Sequence, residues 1–180
     1  MGIEIEKKYR LTREQRERFV KQLRESGAAY EGEELEENTL YAGGNLDTSR
    51  QALRLRRVGA KTILTYKERH ASESAIKHHR EDETGVEDAQ ALAAILDALG
   101  YKPSLVYEKR RATWQWKGAE IVVDELPFGL FVEIEGEEDI INEVERSLGL
   151  IEAEAEMATY PELARQYGQK RGDVIEARLK

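Results

Sequence analysis

Charge alternates with apolar character along strand after strand of this chain, and the charged positions carry both signs. In the opening segment, apolar Ile3 and Ile5 alternate with Glu4, Glu6 and Lys8. A period of two is the signature of a strand with two unlike faces. The pattern returns in Leu53-Arg54-Leu55-Arg56, in Leu64 and Tyr66 beside Lys67 with Arg69 two residues on, and in Lys77, His79, Glu81 and Glu83 on one face. Lys109 and Arg111 share a face of a long segment, Asp124 follows Val123, and Val132-Glu133-Ile134-Glu135 repeats the opening alternation. One such strand is an ordinary half-solvated strand. About seven of them at matched spacing ask for another explanation.

Composition narrows the choices. The chain has 180 residues, 40% of them apolar, which is enough for a core; 36% are charged, and there is no cysteine. Disulfides, thiolate nucleophiles and cysteine zinc sites are excluded. The sequence has no N-terminal apolar leader and no run long enough to span a bilayer, so neither secretion nor membrane insertion is expected and a cytoplasmic protein is the default. A net charge of -8 argues against broad nucleic-acid binding. Any bound anion has to be held by a local group of Lys and Arg.

Elements follow from periodicity and punctuation. Strands are expected at 2–10, near Asn38–Ala42, at 51–58, 61–69, 76–84, 104–117, 119–126 and 130–136. Thr12-Arg13-Glu14-Gln15 has the form of a capping box, opening a helix with an apolar stripe of Phe19, Val20 and Leu23 that Gly27 ends. A second helix, Val86 to Leu99, carries Leu92, Ile95, Leu96 and Leu99; a third, Glu138 to Leu148, carries Ile140, Ile141, Val144 and Leu148. The acidic run Glu31–Glu37 reads as a solvated loop, His70–Ser74 as a polar loop, and residues 161–168 and 173–179 as short terminal helices. Gly59-Ala60 and Lys117-Gly118 read as hairpin turns. Short connections make the sheet mainly antiparallel. The expectation is one domain over 1–180, of α+β class, built as a closed or nearly closed barrel with helices packed outside.

A barrel whose outer face packs on helices turns its charged faces inward. Buried charge is costly unless it is paired or ligand-bound. The economical reading is a polar tunnel for a polyanion and its metals. The cations are Lys8, Arg54, Arg56, Lys67, Lys109 and Arg111; the anions are Glu4, Glu6, Glu81, Glu83, Asp124, Glu133 and Glu135. With a triphosphate bound, two divalent ions bring this set close to neutrality, and hard dications prefer carboxylate and phosphate oxygens. Histidines 70, 78 and 79 fit no common zinc spacing, and Trp114 and Trp116 read as packing residues.

With these residues in place, the sequence resembles the CYTH superfamily, the triphosphate tunnel metalloenzymes named after class IV adenylate cyclase and thiamine triphosphatase. Glu4-Ile5-Glu6-Lys7-Lys8 matches its ExExK hallmark. Asn38-Thr39-Leu40-Tyr41, Ala52 to Arg56, Thr65-Tyr66-Lys67, Glu108 to Arg111 and Asp124 to Glu135 follow in the family's order. The resemblance covers about residues 2–168. Two departures stand out. His79 fills a slot where the family often has Arg, with Arg80 beside it, and Ala42-Gly43-Gly44-Asn45 replaces an aspartate-containing turn.

The resemblance implies an eight-stranded antiparallel tunnel. Lys8, Arg54, Arg56, Lys67, Lys109 and Arg111 would hold phosphates. Glu4, Glu6, Asp124, Glu133 and Glu135, joined by Glu81 and Glu83, would bind one or two Mg2+ or Mn2+ ions. Catalysis would fall to Glu4, Glu6, Lys8, Glu133 and Glu135. The leading expectation is a metal-dependent triphosphatase acting on inorganic triphosphate, thiamine triphosphate or ATP, with a homodimer compatible. The alternatives are a class IV adenylate cyclase, for which no adenine pocket is identified, and a binding module without turnover, which would gain little from so many carboxylates.

Overall fold

The computed structural model describes residues 2–69 and 75–180; the expected loop His70–Ser74 lies outside the described residues. In chain order the elements are β1 (Gly2–Leu11), α1 (Arg13–Glu25), β2 (Ala29–Gly43), β3 (Gln51–Val58), β4 (Lys61–Arg69), β5 (Ile76–Gly85) and α2 (Ala89–Ala98). They continue with β6 (Tyr101–Trp116), β7 (Ala119–Leu126), β8 (Gly129–Glu135), α3 (Glu138–Ser147), β9 (Glu154–Ala155), α4 (Tyr160–Tyr167), β10 (Gln169–Arg171) and β11 (Val174–Ala177).

Strand neighbours run β6-β2-β3-β4-β5-β1-β8-β7, and β7 pairs back onto β6. Every one of these pairings is antiparallel, so eight strands close a barrel. The hairpins form where the sequence expects them. At the β6–β7 turn, Lys117 (φ 52°) and Gly118 (φ 83°) both take the left-handed backbone that a twisted two-residue hairpin needs.

Helices cover the outside. Tyr9, Ile121, Val123, Val132 and Ile134 leave the barrel outward and pack with Phe19 and Leu23 of α1 and with Ile141 and Val144 of α3. Trp114 belongs to this layer and lies against Tyr30, with ring centroids 4.6 Å apart, so the packing role expected for it holds. Leu40, Leu105, Tyr107 and Phe131 pack with Tyr160, Leu163 and Ala164 of α4. Capping boxes at Thr12 and Thr159 fix the starts of α1 and α4.

Three expectations change. The acidic run Glu31–Glu37 is strand, not loop: it lies within β2 and pairs with β6 along its length. Partner pairing overrides a local pattern that offers no apolar face. Residues 173–179 contain β11, which pairs with β6 in parallel, in place of a helix. Finally, α2 buries only part of its stripe: Leu96 is 6% exposed, whereas Ile95 and Leu99 stand 55% and 63% exposed. Among the described residues, no helix is long and apolar enough to cross a membrane.

Candidate active site

The strand pattern that sends apolar side chains outward to the helices sends the alternating charges inward. They line a cavity of about 480 Å³ inside the barrel. Every phosphate-holding, metal-binding or catalytic residue expected from sequence lines it except Asp124, and Lys77 of the same charged pattern lies behind the lining. Asp124 is fully buried behind the wall, where it holds the cations in place.

On the basic side, Arg111 makes a two-pronged contact to Asp124 at 2.8 and 2.6 Å and reaches Glu133 at 2.7 Å. Lys109 lies 3.3 Å from Glu36 and 3.6 Å from Asp124. Arg56 donates to Asn38 at 3.2 Å and sits 3.3 Å from Glu36. Arg54 lies 3.5 Å from both Glu81 and Glu83, and the Thr65 hydroxyl donates to Glu83 at 2.6 Å. Lys8 lies 3.6 Å from Glu133, with its amine over the Tyr160 ring at 4.2 Å. The phenol of Tyr160 donates to Asp124 at 2.9 Å, tying the start of α4 to the same group.

The acidic side is crowded. Lys67 pairs with Glu4 and lies 3.0 Å from Glu81 and 3.9 Å from Glu6. Burial, a hydrogen bond to Glu81 and the nearby Glu6 push the Glu4 carboxyl up to about 9 against the pull of Lys67. Burial and Glu120 raise Glu135 as well. Burial also works to raise Glu81, but the Glu4 hydrogen bond, Lys67 and Arg54 outweigh it and bring Glu81 to about 2. A small pocket of about 20 Å³ adjoins here, lined by Glu4, Glu6, Glu120, Glu133, Glu135, Arg111 and Val122. That is room for one water-sized occupant.

Opposite effects govern the cations. Burial and the neighbouring Arg111 bring Lys109 down to about 8 despite Asp124 and Glu36. Burial and Lys8 likewise bring Lys77 to about 8. Burial would raise Glu36, but Lys109, Arg111 and Arg56 hold it well below the usual carboxylate range.

Position 79 is decided by strand parity. His79 faces the cavity, 3% exposed, with Nε2 3.2 Å from Glu6. Arg80 faces outward, donating to Asp82 at 2.8 Å. Sequence reasoning missed Glu36, Asn38, Thr65, Glu120 and Tyr107. Period-two counting back from Asp124 reaches Glu120, and counting from Lys67 reaches Thr65. Glu36 sat in a run acidic at nearly every position, which hides which carboxylate points inward.

The donor set suits a hard dication in kind: carboxylate oxygens face a small void, and burial with neighbouring carboxylates raises the proton affinity of Glu4 and Glu135. Among the described residues, no three carboxylate or imidazole groups are gathered into a ready-made metal site. Asp124 is the least suited of the expected ligands, because Arg111, Lys109 and Tyr160 already surround its oxygens.

A family model for the CYTH domain matches residues 2–167. Among solved structures, the PH1012 protein of Pyrococcus horikoshii OT3 is similar at 27% identity and a TM-score of 0.76, covering 89% of this chain and 98% of that one. A conserved hypothetical protein of Pyrococcus furiosus is similar at 26% identity and 0.75, covering 89% and 99%. A protein of Hippeastrum, HpAC1, proposed as an adenylyl cyclase and described as having a dominant triphosphatase activity, is 20% identical with a TM-score of 0.69, covering 92% and 96%. At that identity the likeness speaks to the fold alone. No curated protein sequence matches the chain.

Proposed function

The chain belongs to the CYTH domain family, and from that premise we propose that it is a divalent-metal-dependent enzyme that hydrolyses an inorganic or organic triphosphate inside its tunnel. The observation that carries the reading is the division of one barrel cavity into a basic wall and an acidic wall. Arg54, Arg56, Lys109 and Arg111 are each held by a carboxylate that occupies the place a phosphate oxygen would take. They are therefore fixed in position before substrate arrives, and binding exchanges one set of anionic oxygens for another.

Hydrolysis forms a bond from a water oxygen to the terminal phosphorus and breaks the bond to the bridging oxygen. The water proton passes to a carboxylate of the acidic wall; Glu135, raised by burial and Glu120, is suited to take it, whereas Glu4, raised to about 9, can take it only after a cation has displaced its own proton. Lys8 and Arg111, both facing Glu133, stabilise the charge that develops on the phosphoryl oxygens and on the leaving group. Glu4, Glu6, Glu133 and Glu135 would hold Mg2+ or Mn2+, which when bound lowers the charge barrier and acidifies water. Positioning by rigid strands supplies the rest, because each reactive side chain stands on a paired strand of a closed barrel.

The test is to incubate the protein with inorganic triphosphate, thiamine triphosphate and ATP, each with Mg2+ or Mn2+. Metal-dependent phosphate release is the expected result. Cyclic AMP with pyrophosphate would instead make it a cyclase, and binding with no product would make it a sensor.

A further inference from the structure

We propose that Lys77 is a further substrate-anion ligand of the tunnel, forming with Lys8 a two-lysine subsite for the phosphate group nearest α4. The proposal rests on the triphosphate reading above. Lys77 stands on β5 directly across from Glu6 of β1, with the same parity as His79 and Glu81, which line the cavity; Lys77 itself lies just behind that lining. Its amine is buried and, among the described residues, has no hydrogen-bond partner.

That sets it apart from its neighbours. Lys8, Arg54, Arg56, Lys67, Lys109 and Arg111 each have a carboxylate within 4 Å. The carboxylates nearest Lys77 in charge, Glu6 and Glu133, are committed elsewhere: Glu6 to Lys67 and His79, Glu133 to Arg111 and Lys8. The other charged neighbours are Lys8 and Arg69, which repel it. A buried ammonium without a counterion lowers stability, and a fold keeps one at little benefit unless an anion arrives to pair with it.

The location names the anion's position. The Lys8 amine lies over the Tyr160 ring, and Arg69, whose charge acts on Lys77, donates to Glu162 at 2.9 Å and to Thr159 at 3.0 Å, so the two lysines belong to the side of the site that faces the start of α4. An ammonium binds phosphoryl oxygen as a point charge, without demanding one geometry.

The experiment is calorimetric titration of inorganic triphosphate into the wild type and into Lys77→Met, Lys77→Gln, Lys77→Arg and Lys109→Met, with thermal melts of the free proteins. Loss of one charged contact predicts affinity weaker by about tenfold or more in Lys77→Met and Lys77→Gln, and near wild-type affinity in Lys77→Arg. The free Lys77→Met and Lys77→Gln proteins should melt at or above the wild-type temperature, whereas a structural lysine would leave them less stable. Wild-type affinity in Lys77→Met and Lys77→Gln, with loss in Lys109→Met, would overturn the role of Lys77 and leave the tunnel reading intact. A wild type that binds no triphosphate would remove both.

Discussion

Glu4 shows how one side chain reports the purpose of its surroundings. Its carboxyl is raised from 4.5 to about 9 by burial, by a hydrogen bond to Glu81 and by Glu6. Between those two values the folded protein keeps a proton that the unfolded chain has released, so this group makes the metal-free protein less stable as pH rises from 5 to 9. Glu4→Gln mimics the protonated form and has no such slope. Thermal melts of both proteins without metal should coincide near pH 5 and diverge with rising pH, the variant becoming the more stable. Glu36 is the opposite case: its depressed carboxyl contributes stability above 4.5 that is lost on acidification. Tyr160 is a residue-scale partner that strand periodicity does not announce, though Tyr160-Pro161 resembles a family Tyr near the C-terminus. Its phenol donates to Asp124, which in turn grips Arg111. Tyr160→Phe should leave the fold intact and raise KM for triphosphate several-fold, because the hydrogen bond that steadies the Asp124–Arg111 pair is gone.

At the scale of elements, legibility followed periodicity. Strands with one apolar and one charged face, such as β1, β3 and β8, could be read directly, because alternation carries both the element and its orientation. β2 could not be read over its first half, where Glu31, Glu33, Glu34, Glu36 and Glu37 leave no apolar face; only pairing with β6 places Glu36 inside. The C-terminal strand β11 was hidden for a related reason, since four residues are too few to show a period and the partner edge on β6 supplies the order. The turn that replaces the aspartate segment has its own requirement. Gly43 takes φ 110°, and a Cβ there would come within 2.2 Å of the Gly100 carbonyl oxygen. Gly43→Ala should therefore cost about 1–3 kcal/mol in chemical denaturation by straining the β2–β6 end.

At the scale of the whole molecule, the barrel inverts the usual sheet. Apolar side chains leave outward to α1, α2 and α3, α4 packs on Leu40, Tyr107 and Phe131, and the charges face one another across a cavity of about 480 Å³. Such a site should titrate as a unit. Lys109, brought to about 8 by burial and by Arg111, loses its charge as pH rises through that value, so triphosphate affinity of the metal-free protein should fall above pH 8, as calorimetry at pH 7 and 9 would show. The sequence made the charges and their common face legible. It did not show which carboxylate sits against which cation, because those distances depend on how neighbouring strands are staggered. The most direct test of the account is steady-state phosphate release from inorganic triphosphate with Mg2+, comparing the wild type with Glu4→Gln. The wild type should release phosphate only with the metal present, and the variant, with unchanged circular dichroism, should be slower by about a hundredfold or more. Absence of release by the wild type with either Mg2+ or Mn2+, or equal rates in the two proteins, would contradict it.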